Sequence, residues 1–323
     1  MTQSLSAVTL VADVGGTNTR VAVATGRQVA RSTVRRYENE RFSDLESVLR
    51  QYLADEPGHH PTAACVAMAG PVRDGRAVMT NLGWSMDKPR LANVTGTTVV
   101  AILNDLQAQG HALGHIDSAH IRILMPFSAA NAHAAKLVIG VGTGFNAAPV
   151  FDTDAGRFVP PSESGHVNLP IRDTTDLQLG LFVAAAQGCP SVEDVLSGRG
   201  LEAVYRWLCH VAGTTTEMSA HDIMAAVGKG GDPRAMEAVR ILTRMLAAVA
   251  GNLALIQLPF GGVYLVGGVA RSLAPYLADS GFAAAFRDKG RFSEFMDNFG
   301  VGVIEDDYAA LTGCAAHLVA LLG

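Results

Sequence analysis

Asp13-Val14-Gly15-Gly16-Thr17-Asn18 lies between two apolar, strand-like runs at residues 8–12 and 21–24. A carboxylate leaving a strand, two glycines and two small polar residues build a tight hairpin of backbone N–H groups. Such a turn approaches a phosphate closely, because glycine has no Cβ to hold it off. The carboxylate, Asp13, suits a hydrated Mg2+, which commonly binds through one or two carboxylates plus phosphates. A plain β-hairpin whose glycines serve only positive φ accounts for the same six residues.

Further along the chain the pattern returns. LVADVGGTN (10–18) can be laid on LVIGVGTGF (137–145), each reading strand, glycine-rich turn, strand. Two similar α/β halves would then present Gly15-Gly16 and Gly142-Thr143-Gly144 to a polyphosphate from two sides, although two glycine-rich hairpins also resemble each other by chance. A third turn, Gly267-Gly268, follows the run 263–266, where bare backbone can lie against a base or ribose. Ligands of open α/β sheets bind beyond the carboxyl ends of the strands. No GxxxxGK[ST] loop occurs, Gly140, Gly142 and Gly144 lack GxGxxG spacing, and the protein-kinase HRD loop is absent. A phosphate site here is therefore of another kind.

The remaining pattern is α/β. Strand-like runs fall at 8–12, 21–24, 64–67, 98–103, 137–141, 147–151 and 263–266, with helical periodicity between them. Residues 42–53 put Leu45, Val48, Leu49 and Tyr52 on one face. Residues 235–256 and 308–322 read as further helices. A chain of 323 residues suggests two domains more readily than one. The net charge of −5 and the lack of a basic stripe argue against nucleic acid. Cys65, Cys189, Cys209 and Cys314 have no metal or CxxC spacing and read as reduced thiols of a cytoplasmic protein. No Lys or Arg precedes Arg20, so the basic start of a signal peptide is not expected. Residues 245–270 carry no charge, but Asn252, Gln257, Pro259 and two glycine pairs divide them into buried helix, turn and strand rather than a membrane span.

The polar candidates sit at the ends of these runs. Residues 98–103 lead into Asn104-Asp105, which places an acid at the carboxyl end of a buried strand. Phosphoryl transfer to an alcohol needs a carboxylate to take the hydroxyl proton, and Asp105 fits that need. Asp is also a favoured helix N-cap. Glu163-Ser164-Gly165-His166 follows Pro160-Pro161 in a loop, and its acid and imidazole suit neighbouring hydroxyls of a polyol. A metal reading of Glu163 and His166 lacks a third ligand. Glu193, opening EDVLSGRG, serves as a further acceptor or as an acid of a helix start.

Taken together, DVGGTNTR (13–20), TNLGW (80–84), ILNDLQAQG (102–110), GVGTGFNAAPV (140–150), ESGHVNLP (163–170), VEDVLSGRGLEAVYR (192–206), GGVYLVGGVA (261–270) and FRDKGRF (286–292) resemble bacterial glucokinases of the hexokinase–actin–Hsp70 ATPase superfamily. They run in family order over nearly the whole chain. The resemblance implies two ribonuclease-H-like, actin-like ATPase domains with a cleft between them. The small domain would be 1–112 plus 306–323 and the large one 113–305. It implies transfer of the γ-phosphoryl group of ATP, with Mg2+, to the 6-hydroxyl of D-glucose, the first step of glycolysis, by a cytoplasmic homodimer. Asp105 would be the base, and Asn104, Glu163, His166 and Glu193 would hold the other hydroxyls. Gly15, Gly16, Thr17 and Asn18 would form the first phosphate loop, with Asp13 holding Mg2+ through water. Gly142, Thr143 and Gly144 would form the second loop, and Gly267 and Gly268 the adenosine motif.

Three positions depart from the pattern. GTGLG is here GTGFN, with Asn146 for the last glycine; EGGH is ESGH; and Asp307-Tyr308 replaces an Asn-Pro. If the last glycine needs positive φ, asparagine is the least costly substitute, and the loop is expected to shift. Three alternatives stay open: a kinase for another hexose, a non-enzymatic sugar sensor, and an ATPase module of the actin or Hsp70 type. The zinc motif CxCGxxGCxE of the related ROK group is absent. Only about ten residues precede the first strand, too few for a helix-turn-helix, and the sugar acceptors argue against a bare ATPase.

Overall fold

The computed structural model describes residues 7–79 and 82–323, with Gln187 described by its backbone only. The opening hairpin is present. Strand β1 (Val8–Val14) turns through Gly15, Gly16 and Thr17 into β2 (Asn18–Thr25), in antiparallel register from Val14↔Thr19 to Val8↔Thr25. The turn is closed by Gly15 N–H donating to the Asn18 carbonyl at 3.0 Å. On its other edge β1 pairs in parallel with β3 (Ala63–Met68), and β3 pairs in parallel with β4 (Val99–Asn104).

The second half repeats this plan. Strand β5 (Lys136–Val141) forms an antiparallel hairpin with β6 (Phe145–Thr153) and pairs in parallel with β7 (Val263–Val266). In turn β7 pairs in parallel with β8 (Val301–Ile304). The similarity of LVADVGGTN and LVIGVGTGF is thus a similarity of topology: a glycine hairpin, then two parallel strands. Every strand read from the sequence exists, with its ends within three residues of those expected. Strand β8 was not anticipated, because four residues with a central glycine carry too little periodic signal.

By internal contacts the chain forms two compact units. One comprises Met1–His120, Thr153–Pro161 and Asp306–Gly323, the other Ile121–Asp152 and Ser162–Glu305. The unit holding 1–112 and 306–323 thus also takes 113–120 and the arm 153–161. Arg157 in that arm donates to the carbonyls of Gly110, His111 and Leu113, capping the end of helix α2 (Asp105–Ala112). Gln107 Nε2 donates to the Val159 carbonyl at 2.9 Å.

In the first unit alternation along the strands fills two cores. Leu10, Ala12 and Val14 meet Leu45, Val48, Leu49 and Tyr52 of helix α1 (Leu45–Asp55). Val11, Ala22, Cys65 and Leu103 meet Leu311, Cys314 and Leu318 of the C-terminal helix Ala309–Leu322. Helix α1 starts at Leu45 rather than residue 42 because Asp44 caps it, accepting from Ser47 N–H at 2.7 Å. Of the cysteines, Cys65, Cys209 and Cys314 are buried and Cys189 is exposed, all as free thiols. The neighbouring Cys65 thiol and burial push the Cys314 thiol well above its ordinary range.

The second unit has one large core around helices α3 (Gly198–Val211), α4 (Pro233–Gln257) and α5 (Gly268–Leu277). Helix α4 is apolar and long enough to span a membrane by composition alone. Its residues from Met245 to Gly251 are instead packed in the core. Leu258, in left-handed conformation, ends it, and the turn at Gly262 leads into β7.

Candidate active site

The first unit carries two of the expected elements at strand ends. At β4 the N-cap alternative that the sequence left open for Asp105 falls to its neighbour. Asn104, not Asp105, is the N-cap of α2: its Oδ1 accepts from Gln107 N–H at 2.6 Å, and Gln107 Oε1 accepts from Asn104 N–H at 3.0 Å. Asn104 is 4% exposed, so half of its amide is committed to this capping box and only the remainder can face a ligand. Asp105 is the first residue of the helix, half-buried, with Oδ1 accepting from Leu106 N–H at 2.9 Å. That bond ties the carboxylate to its own helix at the end of β4.

The opening hairpin is held from behind by a residue with no signal in its local sequence. Asn39, 2% exposed, donates through Nδ2 to the Gly15 carbonyl at 2.8 Å and through its N–H to the Thr17 carbonyl at 2.9 Å. Its Oδ1 accepts from the buried Thr19 hydroxyl at 2.8 Å. With the Gly15 and Thr17 carbonyls taken by Asn39 and the Gly15 amide closing the turn, its other amides are the groups left to meet an anion. Asn18 Oδ1 accepts from Arg36 Nε at 3.0 Å. Asp13 pairs across the hairpin with Arg20 at 3.6 Å.

In the second unit the glycine turn after β5 is closed by Gly142 N–H donating to the Gly144 carbonyl at 2.9 Å. The start of α3 packs onto it, Gly198 N–H donating to the Gly142 carbonyl at 2.9 Å. None of Gly15, Gly142 and Gly144 adopts left-handed φ, so positive φ is not what selects glycine there. At Gly144 the reason is proximity, for a Cβ would stand 2.4 Å from Glu193 Oε2. Gly267 does need its freedom: φ is +100°, and a Cβ would meet the Val141 carbonyl oxygen at 2.5 Å. Gly142, Thr143, Gly198, Arg199, Glu202, Gly268 and Val269 line a pocket of about 430 Å³. Two helix starts, those of α3 and α5, thus meet the glycine turn, an arrangement suited to anionic ligands.

The sugar candidates of the second unit gather beside this turn. Glu193 Oε2 accepts from Phe145 N–H at 2.9 Å, and its other oxygen lies 3.4 Å from Arg199. The Glu193 N–H donates to the Gly165 carbonyl at 2.9 Å, which ties it to the Glu163–His166 loop. Glu163 and His166 are exposed, and among the described residues neither side chain has a hydrogen-bond or ion-pair partner. Among the described residues there is no group of three or more His, Cys, Asp or Glu that could hold a metal ion.

The expectation for Asn146 is corrected. It is a strand residue of β6 opposite Gly140, without positive φ, and its side chain is engaged with the Ser162–Ser164 segment. No left-handed glycine position exists for it to fill. Of the stretch TNLGW (80–84), Thr80 and Asn81 lie outside the described residues.

Comparison with known proteins agrees with this geometry. A family profile described as Glucokinase matches residues 10–321. The glucokinase of Saccharophagus degradans is 32% identical over 96% of this chain and 97% of its own. That of Chromohalobacter salexigens is 31% identical over 96% and 97%. Among solved structures, a glucokinase from an Antarctic psychrotroph, 28% identical, superimposes with a TM-score of 0.83 over 96% of this chain and 98% of its own. The repeated hairpin-and-parallel-strand plan is accordingly that of the two-domain actin-like ATPase fold, and the chain belongs to the glucokinase family.

Proposed function

We propose that this protein is an ATP:D-glucose 6-phosphotransferase. The observation that carries the reading is the connection inside the second unit between Glu193, the Phe145 amide of the glycine turn, and the Glu163–His166 loop. Sugar acceptors and phosphate turn are there one hydrogen-bonded body. Glu163 and His166 supply side chains that no protein group occupies among the described residues.

In the proposed reaction Asp105 accepts the proton of the 6-hydroxyl as that oxygen attacks the γ-phosphorus, and ADP leaves. Asn104, Glu163, His166 and Glu193 orient the sugar through its other hydroxyls. A hexose that leaves one of these groups buried without a partner loses about 1–3 kcal/mol, which is the basis of selectivity. Gly16, Thr17 and Asn18 in the first turn, and Thr143 and Gly144 in the second, face the phosphates, while the Gly15 and Gly142 amides close the two turns on themselves. Gly267 and Gly268 flank the adenosine, and Arg199 brings a positive charge to the pocket that Gly268 lines.

The residues present suit Mg2+ carried by the nucleotide. Asp13 offers one carboxylate beside the turn, balanced by Arg20, and not a protein cage. Asp13 would hold the ion through water, and the ion would neutralise phosphate charge. Assembly as a homodimer in the cytoplasm belongs to the same proposal, and sedimentation tests the dimer.

The test is ADP release with ATP as donor and glucose, mannose, fructose or N-acetylglucosamine as acceptor. Glucose is expected to give the highest kcat/KM. A higher value for another sugar reassigns the substrate, and no sugar-dependent release removes the kinase reading.

A further inference from the structure

Asn146 and the loop it touches form a unit that the catalytic roles do not explain. Asn146 is the second residue of β6, directly after the Gly142–Gly144 turn. Its Oδ1 accepts from Ser164 N–H at 3.0 Å, from Ser164 Oγ at 3.1 Å and from Ala147 N–H at 2.8 Å. Its Nδ2 donates to the Ser162 carbonyl. One amide thus uses both ends on the residues either side of Glu163.

The far side of the loop is fixed independently. Gly165 is buried against β6, where a Cβ would stand 2.1 Å from the Phe145 carbonyl oxygen. Its own carbonyl accepts from Glu193 N–H. His166 N–H donates to the Glu163 carbonyl at 3.2 Å, closing a short 3-10 turn. Residues 162–166 are therefore clamped at both ends, while the side chains of Glu163 and His166 stay exposed.

From this geometry we infer that Asn146 is a positioning residue for the sugar and that Ser164 is its dedicated partner. The amide sets the backbone of Ser162 and Ser164, and so the direction in which Glu163 and His166 leave it. Asn146 touches neither phosphate nor sugar in this account and acts through the loop. The inference rests on the glucose-kinase reading for its kinetic consequence and on the hydrogen bonds alone for its structural one.

The bonds predict a specific asymmetry. Asn146→Gly strands the Ser162 carbonyl and the Ser164 amide and hydroxyl together, and freeing a loop that carries two sugar ligands raises the glucose KM by at least about tenfold. The ATP KM stays within about twofold, because the Gly142–Gly144 turn keeps its own closure and its bond from Gly198. Ser164→Ala removes only the hydroxyl contact and raises the glucose KM by about threefold. In the double variant that threefold step disappears, since the hydroxyl has no partner left to lose.

The experiment measures both KM values for wild type, Asn146→Gly, Ser164→Ala and the double variant. Amide hydrogen exchange of residues 163–166 is followed in the same four proteins. Selective loss of glucose affinity, non-additivity and faster exchange in Asn146→Gly support the inference. An unchanged glucose KM, an equal rise in both KM values, or full additivity overturns it. If the wild type shows no glucose-dependent ADP release, the kinase reading fails by itself. Exchange then decides the clamp alone: faster in Asn146→Gly supports it, unchanged refutes it.

Discussion

Replacing Gly144 by alanine separates what this position contributes to stability from what it contributes to catalysis. A Cβ there would fall 2.4 Å from Glu193 Oε2 and 3.1 Å from its Cδ, too close for either to stay. The backbone is not forced to move, because the colliding atom is the tip of a side chain that is 21% exposed. The carboxylate instead swings out and gives up the Phe145 N–H at 2.9 Å. A hydrogen bond to a charged group contributes about 1.5–3 kcal/mol when it cannot be replaced. For stability most of this is recovered, because the displaced carboxylate reaches water. About 1 kcal/mol or less is lost, or about 2–4 °C in Tm for a unit of this size. For catalysis nothing is recovered if Glu193 is a sugar acceptor, since its new position no longer meets the hydroxyl. Glucose kcat/KM is then expected to fall about 10- to 100-fold. Steady-state ADP release with each substrate varied in turn, beside a thermal melt, reads both quantities. Glu193→Gln in the same background should add little, because the acceptor is already displaced. A Gly144→Ala enzyme with kcat/KM within about twofold of wild type would refute the reasoning, and a collapse in Tm would show that the turn, not the side chain, yields.

Other outcomes follow from single contacts. Asn39→Ala strands the Gly15 carbonyl and the buried Thr19 hydroxyl, at about 1–3 kcal/mol for each unpaired group; chemical denaturation should show the loss, and the ATP KM should rise more than the glucose KM. Gly313→Ala puts a Cβ 1.7 Å from the Ala108 carbonyl oxygen. The C-terminal helix must then shift against α2, and a loss of about 1–3 kcal/mol in unfolding free energy with a fall in kcat is expected, because α2 begins at Asp105. His317, beside His111 with ring centroids 4.5 Å apart, is held below its ordinary value of 6.5 by burial and then by Lys88. A depressed histidine binds its proton more readily in the unfolded chain, so its contribution is intact above pH 6.5 and is lost as pH falls from there towards its folded value. Melts of His317→Leu between pH 5 and 8 should show a flatter acid limb than wild type.

The hairpins were legible because apolar runs bounded by glycines leave few other conformations, and the repeat LVADVGGTN/LVIGVGTGF reports a real repeat of topology. The buried helix at Pro233–Gln257 was legible from the polar and glycine interruptions that follow it. Less could be read where a side chain's role is set by distant residues. Asn39 carries no local signal, since its partners Gly15, Thr17 and Thr19 lie some twenty positions away. The local sequence of Glu193 leaves a further acceptor and a helix-start acid both open, because the Phe145 amide that meets its carboxylate lies far back in the chain. The cap of α2 stays open in the sequence, because both Asn104 and Asp105 are good caps and only the bond from Gln107 N–H tells them apart. Asn146 was read through the glycine it replaces, whereas its side-chain partners define it.

The proposed reaction depends most on Asp105 taking the proton. Asp105→Asn retains the side chain's size and an oxygen for the Leu106 amide while removing the base. Steady-state kinetics with saturating ATP should show kcat reduced by at least about 100-fold and the glucose KM nearly unchanged, as expected for the loss of a general base. Near-normal turnover in that variant would contradict the mechanism.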